Sequence, residues 1–360
     1  MRWNRQRCCG KLNFGHLGGR VTPGETAIDA IQDGPVEIDR GWTAPDMKNA
    51  QRLAFATAIV TVVLIGVGVL VRATGSGLGC PDWPTCHGSV VPPGQKHALI
   101  EMSHRFTASL VGFMVIGTAI MAWRHYRESR FIVRTSILVV PLVGFQGILG
   151  AITVKRELPP EIVATHLLTA MLVLTCELAV AWAMFLEDPD SPARFRTISR
   201  PSRRRIGGLA VLASTWLAVV LWVGGYMAES GASTACSGWP VCNGSVFPAA
   251  DDQEITHMLH RYLAGALLFV LLPFVIACWR RRREIPWAAP AAIATSALYI
   301  AQVAVGALNV WFTFPDPLTV THTVIASGIW FTLSCAIVLA FYVPAAERRV
   351  GQLSGREVPA

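Results

Sequence analysis

Eight long apolar stretches, separated by shorter polar segments, run along this chain. Each supplies the roughly 20 apolar residues that a helix needs to cross a hydrocarbon core about 30 Å thick. Lipid offers the backbone no hydrogen-bond partners, so such stretches must be helical. The pattern therefore predicts an all-α, polytopic membrane protein whose eight transmembrane helices lie near residues 52–71, 99–123, 132–153, 161–185, 206–227, 255–279, 287–310 and 319–343.

The composition excludes the soluble alternatives. Of the 360 residues, 52% are hydrophobic and 15% are charged, whereas about 25% are charged in soluble domains. The 12 Trp residues suit a chain whose aromatic side chains mark the two lipid–water boundaries. An ordinary soluble enzyme, a disordered chain and a collagen-like chain are therefore excluded.

The placement of positive charge predicts the orientation. The formal net charge is +8, and most Lys and Arg residues fall in segments that stay cytoplasmic if both termini are cytoplasmic. Residues 1–49 and 344–360 are then cytoplasmic tails, and 187–205 is a basic cytoplasmic linker. This distribution explains the basic charge without a nucleic-acid partner. The positive residues left at the outer side are Arg72, Lys96, Arg105, Lys155, Arg156 and Arg261.

The chain contains an internal repeat with a displacement of 156 residues. The segment Cys80-Pro-Asp-Trp-Pro-Thr-Cys86 reappears as Cys236-Ser-Gly-Trp-Pro-Val-Cys242. An even number of crossings per repeat predicts two four-helix halves, 50–186 and 206–343, related by a pseudo-two-fold axis along the membrane normal. The same displacement relates His104-Arg105 to His260-Arg261, Gln146 to Gln302, Gly150 to Gly306 and His166 to His322.

The four repeated histidines are candidate metal ligands. Ionisable residues inside transmembrane helices are costly and are functional candidates by default. Two imidazoles that face each other across a four-helix bundle can hold a six-coordinate haem iron. The pattern therefore predicts one haem site from His104 and His166 and a second from His260 and His322. The alternative for each histidine is a structural hydrogen-bonding role.

Other metal sites fit the spacing less well. Glu101-Met-Ser-His104 has the Glu-x-x-His spacing of di-iron bundles, but those need a second copy and two more glutamates, and the repeat has His257 in place of Glu101. Catalytic zinc needs three clustered ligands. Covalent haem needs Cys-x-x-Cys-His, whereas Cys80 lies too far from Cys86. The predicted haem is therefore non-covalent.

The residues beside the histidines suggest different tasks for the two halves. Glu101 lies one turn before His104, on the same helix face, where a carboxylate can accept or relay protons. Its counterpart is His257, so we expect the N-terminal haem to be the one that is chemically changed. The alternative for Glu101 is a carboxylate favoured by the helix dipole. Arg105 and Arg261 are interpreted as contacts to haem propionates, with snorkelling to lipid headgroups as the alternative.

The paired cysteines lie in the two long outer loops, and their spacing leaves three interpretations open. A disulfide within each loop would stiffen a lid over the neighbouring haem. A redox-active disulfide and a zinc site shared by the four cysteines are the other two.

Seven motifs together are highly specific, although singly none is: Gly75-Ser-Gly-Leu-Gly-Cys80-Pro-Asp-Trp83-Pro-Thr-Cys86-His-Gly88, Glu101-Met-Ser-His104-Arg105, Gln146-Gly-Ile-Leu-Gly150, Thr165-His166, Gly231-Ala-Ser-Thr-Ala-Cys236, His257-Met-Leu-His260-Arg261 and Thr321-His322. Over about residues 50–343 this set resembles the haem A synthase family. Its members are membrane oxidoreductases that convert a methyl group of haem O to the formyl group of haem A, through two hydroxylations and loss of water.

The resemblance implies a role for each matched residue. His104 and His166 would bind the substrate haem, and Glu101 would be the catalytic carboxylate. His260 and His322 would ligate a haem b that passes electrons to the reaction. The outer-loop cysteines match the bacterial class, which implies the disulfides Cys80–Cys86 and Cys236–Cys242.

The resemblance also implies a location and partners. The protein is expected in the bacterial cell (inner) membrane, with the cysteine loops outside. Expected partners are haem O synthase, which is a farnesyltransferase, an electron donor, and cytochrome oxidase as the recipient of haem A; a homo-oligomer is a further hypothesis. The residues leave two alternatives open, a di-haem b-type cytochrome that only transfers electrons and a transporter built from parallel repeats.

Overall fold

The computed structural model describes residues 44–188 and 200–342. Within this part of the chain, all eight long helices are apolar enough to cross a membrane, which confirms the prediction of an all-α, polytopic membrane protein. The predicted cytoplasmic tails and basic linker lie largely outside the described residues. The helices are α1 (Ala44–Ala73), α2 (Lys96–His125), α3 (Arg130–Lys155), α4 (Pro160–Glu187), α5 (Arg200–Glu229), α6 (Asp252–Arg280), α7 (Ala288–Trp311) and α8 (Asp316–Phe341).

Two helices begin six or more residues before the apolar stretches that predict them. α1 begins at Ala44 and α5 at Arg200, so that polar and basic turns precede the apolar part of each. A helix satisfies its own backbone hydrogen bonds, and it can therefore continue beyond the hydrocarbon region. α4 and α8 instead carry Pro in the first turn, where its missing N–H leaves no helical hydrogen bond unmade.

The helices pack as two rings of four. In the N-terminal ring, α1 and α3 each contact α2 and α4, and α5 to α8 repeat this arrangement as the C-terminal ring. The rings meet through α1, α4, α5 and α8. The central helices are accordingly the most enclosed: 56% of the apolar window of α4 and of α8 is buried, against 11% of that of α3. Most of the α3 surface is thus left for lipid.

Polar side chains connect the two rings. The indole N–H of Trp330 on α8 donates to the hydroxyl of Thr175 on α4 at 2.9 Å, and Thr175 also contacts the hydroxyl of Ser334 at 2.9 Å. The lipid chains are as apolar as the helix surfaces, so such hydrogen bonds contribute to helix association in membranes. At the end of α1, the guanidinium of Arg72 pairs with Glu229 on α5.

Two long loops, each closed by a disulfide, lie at one end of the bundle. Cysteine loop 1 (residues 74–95) contains the Cys80–Cys86 disulfide, and cysteine loop 2 (residues 230–251) contains Cys236–Cys242. In each loop the second cysteine forms a short antiparallel bridge with the serine three positions later, Cys86 with Ser89 and Cys242 with Ser245. We call this the cysteine-loop end of the bundle; the α3–α4 and α7–α8 turns lie there too.

The loops are stabilised by different side chains. In cysteine loop 1 the carboxylate of Asp82 accepts hydrogen bonds from the hydroxyl of Thr85 and the backbone N–H groups of His87 and Gly88. The hydrogen bonds from Thr85, Gly88 and His87 lower the pKa of Asp82 to about 2. The counterpart of Asp82 in cysteine loop 2 is Gly238, which has no side chain for this role.

Asn243 supplies the missing acceptor in cysteine loop 2. Its Oδ1 accepts from the backbone N–H of Ser237 at 3.0 Å. Its Nδ2 donates to the carbonyl of Ala235 at 3.0 Å and to Glu254 on α6 at 2.9 Å. Glu254 also accepts from the backbone N–H of Ala249 at 3.0 Å, so both loops contact a carboxylate, but the acceptor inside the loop is Asp82 in cysteine loop 1 and the Asn243 amide in cysteine loop 2.

Candidate functional site

The structure brings the four repeated histidines together in pairs near the cysteine-loop end. They are His104 on α2, His166 on α4, His260 on α6 and His322 on α8. His104 is close enough to His166 for their charges to interact, and His260 is similarly close to His322. Each ring of helices thus contains one pair, as the repeat predicts.

The surroundings of these imidazoles do not fit a purely structural role. Each side chain is half-buried, and its Nδ1 atom is buried without a hydrogen-bond partner among the described residues. A buried polar atom left unpaired costs about 1–3 kcal/mol. A histidine with only a structural role would be expected to form hydrogen bonds with its ring nitrogens. An unpaired Nδ1 atom at all four repeated positions therefore favours imidazoles that bind another ligand.

Glycines on neighbouring helices give the imidazoles room to lie against the backbone. A Cβ atom added at Gly68 on α1 would lie 3.0 Å from Cε1 of His104, and one added at Gly224 on α5 would lie 2.8 Å from Cε1 of His260. Sequence reasoning did not single out these two glycines. The signal was present, because Gly224 follows Gly68 by the same 156 residues that relate the histidines.

The second histidine of each pair also lies against a glycine. An added Cβ at Gly150 on α3 would be 3.7 Å from Cε1 of His166, and one at Gly306 on α7 would be 3.1 Å from Cε1 of His322. Each of the four imidazoles thus lies against a glycine, where the neighbouring helix has no side chain. Imidazoles on facing helices, unpaired nitrogens and this close packing together fit a haem in each ring of helices.

The repeated glutamines mark a difference between the pairs. The amide of Gln146 donates to the hydroxyl of Thr169 at 2.7 Å and to the backbone carbonyl of His166 at 3.2 Å. The amide of Gln302 instead lies 3.0 Å from Nε2 of His322. Ligation of a metal by this nitrogen would therefore displace one hydrogen bond in the C-terminal ring.

Glu101 connects α2 to cysteine loop 1. Its side chain is 3% exposed, and its Oε2 accepts from the backbone N–H of Cys80 at 2.8 Å. Its Oε1 pairs with the guanidinium of Arg105, one turn along the helix. The carboxylate is thus fixed beneath the disulfide-closed loop, one turn of helix away from His104.

His257 takes the place of Glu101 in the C-terminal ring. Its side chain is 2% exposed. Nδ1 lies 3.0 Å from the carbonyl of Ala232, and Nε2 lies 2.9 Å from the guanidinium of Arg261. The carbonyl can only accept and the guanidinium can only donate, which assigns the proton to Nδ1. An imidazole therefore replaces the carboxylate in the same contact with arginine.

The two arginines hold the cysteine loops onto the helices. Arg105 donates to the carbonyls of Asp82 at 2.8 Å and Thr85 at 2.6 Å. Arg261 donates to those of Gly238 at 2.8 Å and Val241 at 3.1 Å. Sequence reasoning missed these contacts, since nothing in the chain predicts which carbonyls a loop turns inward. Contact of either arginine with a haem propionate stays a prediction.

The disulfides lie over the helix that carries the first histidine. Cys80 and Cys86 are buried in a small cluster with Ala98 and Met102 of α2. Cys236 and Cys242 form the corresponding cluster with Met258 of α6. A disulfide-closed loop therefore covers the start of α2 in one ring and of α6 in the other.

The fold and the site together define a class: a duplicated eight-helix membrane protein with an imidazole pair in each half and a disulfide-closed loop over each pair. Residues 51–334 match the model of the COX15-CtaA family, which is described as cytochrome oxidase assembly protein. The chain belongs to this family.

Several bacterial proteins are similar over most of their length. The haem A synthase of Shouchella clausii (strain KSM-K16) is 32% identical over 308 residues, which cover 81% of this chain and 97% of the relative. That of Halalkalibacterium halodurans is 33% identical over 294 residues, covering 79% and 94%. That of Alkalihalophilus pseudofirmus is 33% identical over 247 residues, covering 67% and 82%.

Proposed function

We propose that this protein is a haem A synthase, an oxidoreductase that converts the methyl group of haem O to the formyl group of haem A, for use by cytochrome oxidase. The observation that carries this proposal is the difference between two otherwise matching sites. Glu101 lies beside the first pair of histidines, and His257 lies in its place beside the second. A protein that only carried electrons between two equal haems would have no use for this difference.

In this proposal His104 and His166 hold the substrate haem. Their unpaired nitrogens and the glycine surfaces behind them support the assignment. The imidazoles come from two different helices, so they orient the porphyrin as well as bind it. Such orientation brings the reacting methyl group to a defined position relative to the carboxylate.

His260 and His322 hold a haem b in the C-terminal ring. When bound, this group supplies electron transfer to and from the substrate site. The neutral imidazole of His257 and the cationic guanidinium of Arg261 hold cysteine loop 2 over the pair His260 and His322. The C-terminal ring thus has no carboxylate at the position where the N-terminal ring has Glu101.

Glu101 acts on protons at the reacting carbon. Each of the two hydroxylations takes two electrons from the methyl carbon, which an oxidant outside the chain (dioxygen, or an electron acceptor with water as the oxygen source) would accept, and the geminal diol then loses water. A nearby carboxylate can accept the protons released at the carbon and assist the loss of water. Arg105 and the N–H of Cys80 fix the two oxygens of Glu101 from one side. The carboxylate is therefore oriented before the substrate arrives, which lowers the reorganisation needed during the reaction.

The proposed setting is the bacterial inner membrane, with the cysteine loops on the outer side and both termini in the cytoplasm. The excess of Lys and Arg in the other connecting segments supports this orientation. Haem O synthase would supply the substrate, an electron donor would serve the haem b, and cytochrome oxidase would receive the product.

Chromatography of extracted haems tests the proposal. Cells that produce haem O but no haem A should accumulate haem A when they express this chain. With Glu101→Gln they should retain the haem spectrum of the purified protein but form no haem A. A wild-type protein with haem absorption and no haem A product would instead indicate an electron-transferring cytochrome, and one without haem absorption would indicate a transporter.

A further inference from the structure

A small cavity with polar residues in its lining lies inside the N-terminal ring, away from the histidines. Its lining includes the carboxyl group of Glu177 on α4 and the hydroxyl-bearing residues Thr57 on α1, Thr118 on α2 and Ser136 on α3; alanine and valine side chains complete it. Each of these four polar residues is at least nine-tenths buried. Every helix of the ring thus contributes a polar residue to the lining of one cavity.

The carboxyl group of Glu177 is only partly satisfied by its neighbours. Its side chain belongs to a residue that is 4% exposed, and its Oε1 accepts from the hydroxyl of Thr61 at 3.1 Å. Its Oε2 is buried and has no partner within residues 44–188 and 200–342. Buried carboxyl oxygens are almost always hydrogen-bonded, either to protein or to an ordered water.

The cavity has the size that one water molecule needs, and polar groups lie in its lining. The space open to the centre of a water molecule is about 10 Å³, close to the minimum for a single water. The hydroxyls of Thr57 and Thr118 lie 3.3 Å apart, and that of Ser136 donates to the carbonyl of Val133 at 3.0 Å, which leaves its oxygen free to accept. Together with Oε2 they offer the two to four partners that a buried water requires.

The C-terminal ring has apolar side chains at most of the corresponding positions; the exception is Thr295, which replaces Val139 and has a buried hydroxyl without a partner among the described residues. At a displacement of 156 residues, Leu333 replaces Glu177 and Phe274 replaces Thr118, and both are fully buried. Ala213, Leu217 and Ala292 replace Thr57, Thr61 and Ser136. The fold therefore does not need a carboxyl group here. Within the described residues, a buried carboxyl group occurs at this place only in the ring that also contains Glu101.

The cavity lies between the histidine pair and the end of the bundle opposite the cysteine loops. Thr61 is seven residues along α1 from Gly68, against which His104 packs, a distance of about 10 Å along the helix. In the other direction, Thr57 is six residues, or about 9 Å, from Gln51. The amide of Gln51 donates to Asp188 at 3.0 Å near that opposite end. Polar groups thus occur at intervals from one end of the ring to the histidines.

We propose that this cavity binds one water molecule and that the water and Glu177 form a proton-exchange site belonging to the N-terminal ring alone. In the exchange the carboxyl proton passes to the water while the water returns one of its own protons to the carboxyl group, so both partners stay neutral. Apart from Glu177, the described lining residues are uncharged; the Cys176 thiol is the titratable group that interacts with Glu177. That the site serves haem oxidation, whose protons must enter or leave this ring, rests on the proposed function.

Infrared spectroscopy of the full-length purified protein tests the exchange site directly. The carbonyl band of a protonated carboxyl group should shift on transfer from H2O to D2O, and the band should be missing in Glu177→Gln. Replacing Thr57 and Ser136 by the alanines of the other ring should slow this shift about tenfold, the factor expected for one lost hydrogen bond. Ser334→Ala, which removes a buried hydroxyl outside the cavity, is the matched control and should leave the exchange rate unchanged.

The outcomes separate the site from the function. Absence of the band in the wild type, or an unchanged exchange rate in the Thr57→Ala/Ser136→Ala variant, would overturn the site. Glu177→Leu should lower the kcat for haem A formation without changing the KM for haem O or the haem spectrum, and an unchanged kcat would overturn its part in the reaction. If even the wild type made no haem A, the proposed function would fail, while the infrared result would still decide the exchange site.

Discussion

At the scale of single residues, two glycines set the positions of the candidate ligands. Gly68 and Gly224 occupy equivalent places on α1 and α5, and an added Cβ at either would lie within 3.0 Å of an imidazole carbon. The imidazole side chain is the part that can move, because the backbone of the glycine is held by its own helix. A methyl group at these positions therefore acts on the histidine and not on the fold.

We expect Gly224→Ala to shift His260 and to remove the haem b spectrum of the C-terminal ring, as His260→Ala would. Overpacking of this kind costs about 1–3 kcal/mol, which lowers haem affinity by about fivefold to 150-fold. Optical difference spectra of the purified variant measure the loss. Gly265→Ala, on α6 where an added Cβ meets nothing within 4 Å, is the control and should keep the spectrum.

Equivalent substitutions should affect the two sites separately. Gly68→Ala shifts His104, so it should weaken binding of the substrate haem while the haem b spectrum of the C-terminal ring is kept. Titration of the purified protein with haem O measures the change in affinity. Loss of the haem b spectrum in this variant would contradict the assignment of one pair to each ring.

At the scale of elements, the two cysteine loops have the same disulfide and the same arginine clamp but different internal hydrogen bonds. Asp82 organises cysteine loop 1 as a carboxylate, whereas Asn243 organises cysteine loop 2 as a neutral amide. The loops should therefore respond differently to loss of the Asp82 charge, although both close over the start of a helix.

Loss of the Asp82 charge should open cysteine loop 1 specifically. The pKa of Asp82 is lowered from 3.8 to about 2, so its contribution to loop stability is complete above pH 4 and is lost as the pH falls through about 2. The rate at which a phosphine reductant cleaves Cys80–Cys86, relative to Cys236–Cys242 in the same molecule, measures this opening by mass spectrometry. Asp82→Asn should raise this ratio at neutral pH, because it removes the carboxylate from cysteine loop 1 and leaves cysteine loop 2 unchanged.

At the scale of the whole molecule, the features that could be predicted from sequence are those that a local sequence pattern or the internal repeat determines. The eight helices follow from apolar length, and the histidine pairs follow from the fixed displacement. The inward-facing carbonyls that bind Arg105 and Arg261 could not be predicted, since they depend on how a loop folds back onto a helix. Glu177 did leave a signal, a carboxylate in the middle of an apolar stretch, but its cavity needs side chains from four helices to be recognised.

The ion pair between Arg72 and Glu229 connects the two rings of helices, and it has no counterpart at the repeated positions. Their counterparts are Ala228 and Ala73, so the pair occurs once, where the ends of α1 and α5 meet. Nε of Arg72 lies 2.6 Å from the carboxylate but is not aligned as a hydrogen bond, while Nη2 donates to the carbonyl of Ala228 at 2.7 Å. The arginine thus contacts the equivalent position of the other ring.

This contact should stabilise the association of the two rings. Both side chains are partly exposed, so solvent screening limits the pair to about 1 kcal/mol, and Arg72→Gln and Glu229→Gln should each lower the thermal unfolding temperature in detergent by a few degrees. The double variant should lose less than the sum of the two, because the second substitution has no partner left to remove. Additive losses would show that the residues act separately, and the carbonyl of Ala228 would then be the main partner of Arg72. The arginine would in that case still link α1 to α5, but through the backbone and independently of charge at position 229.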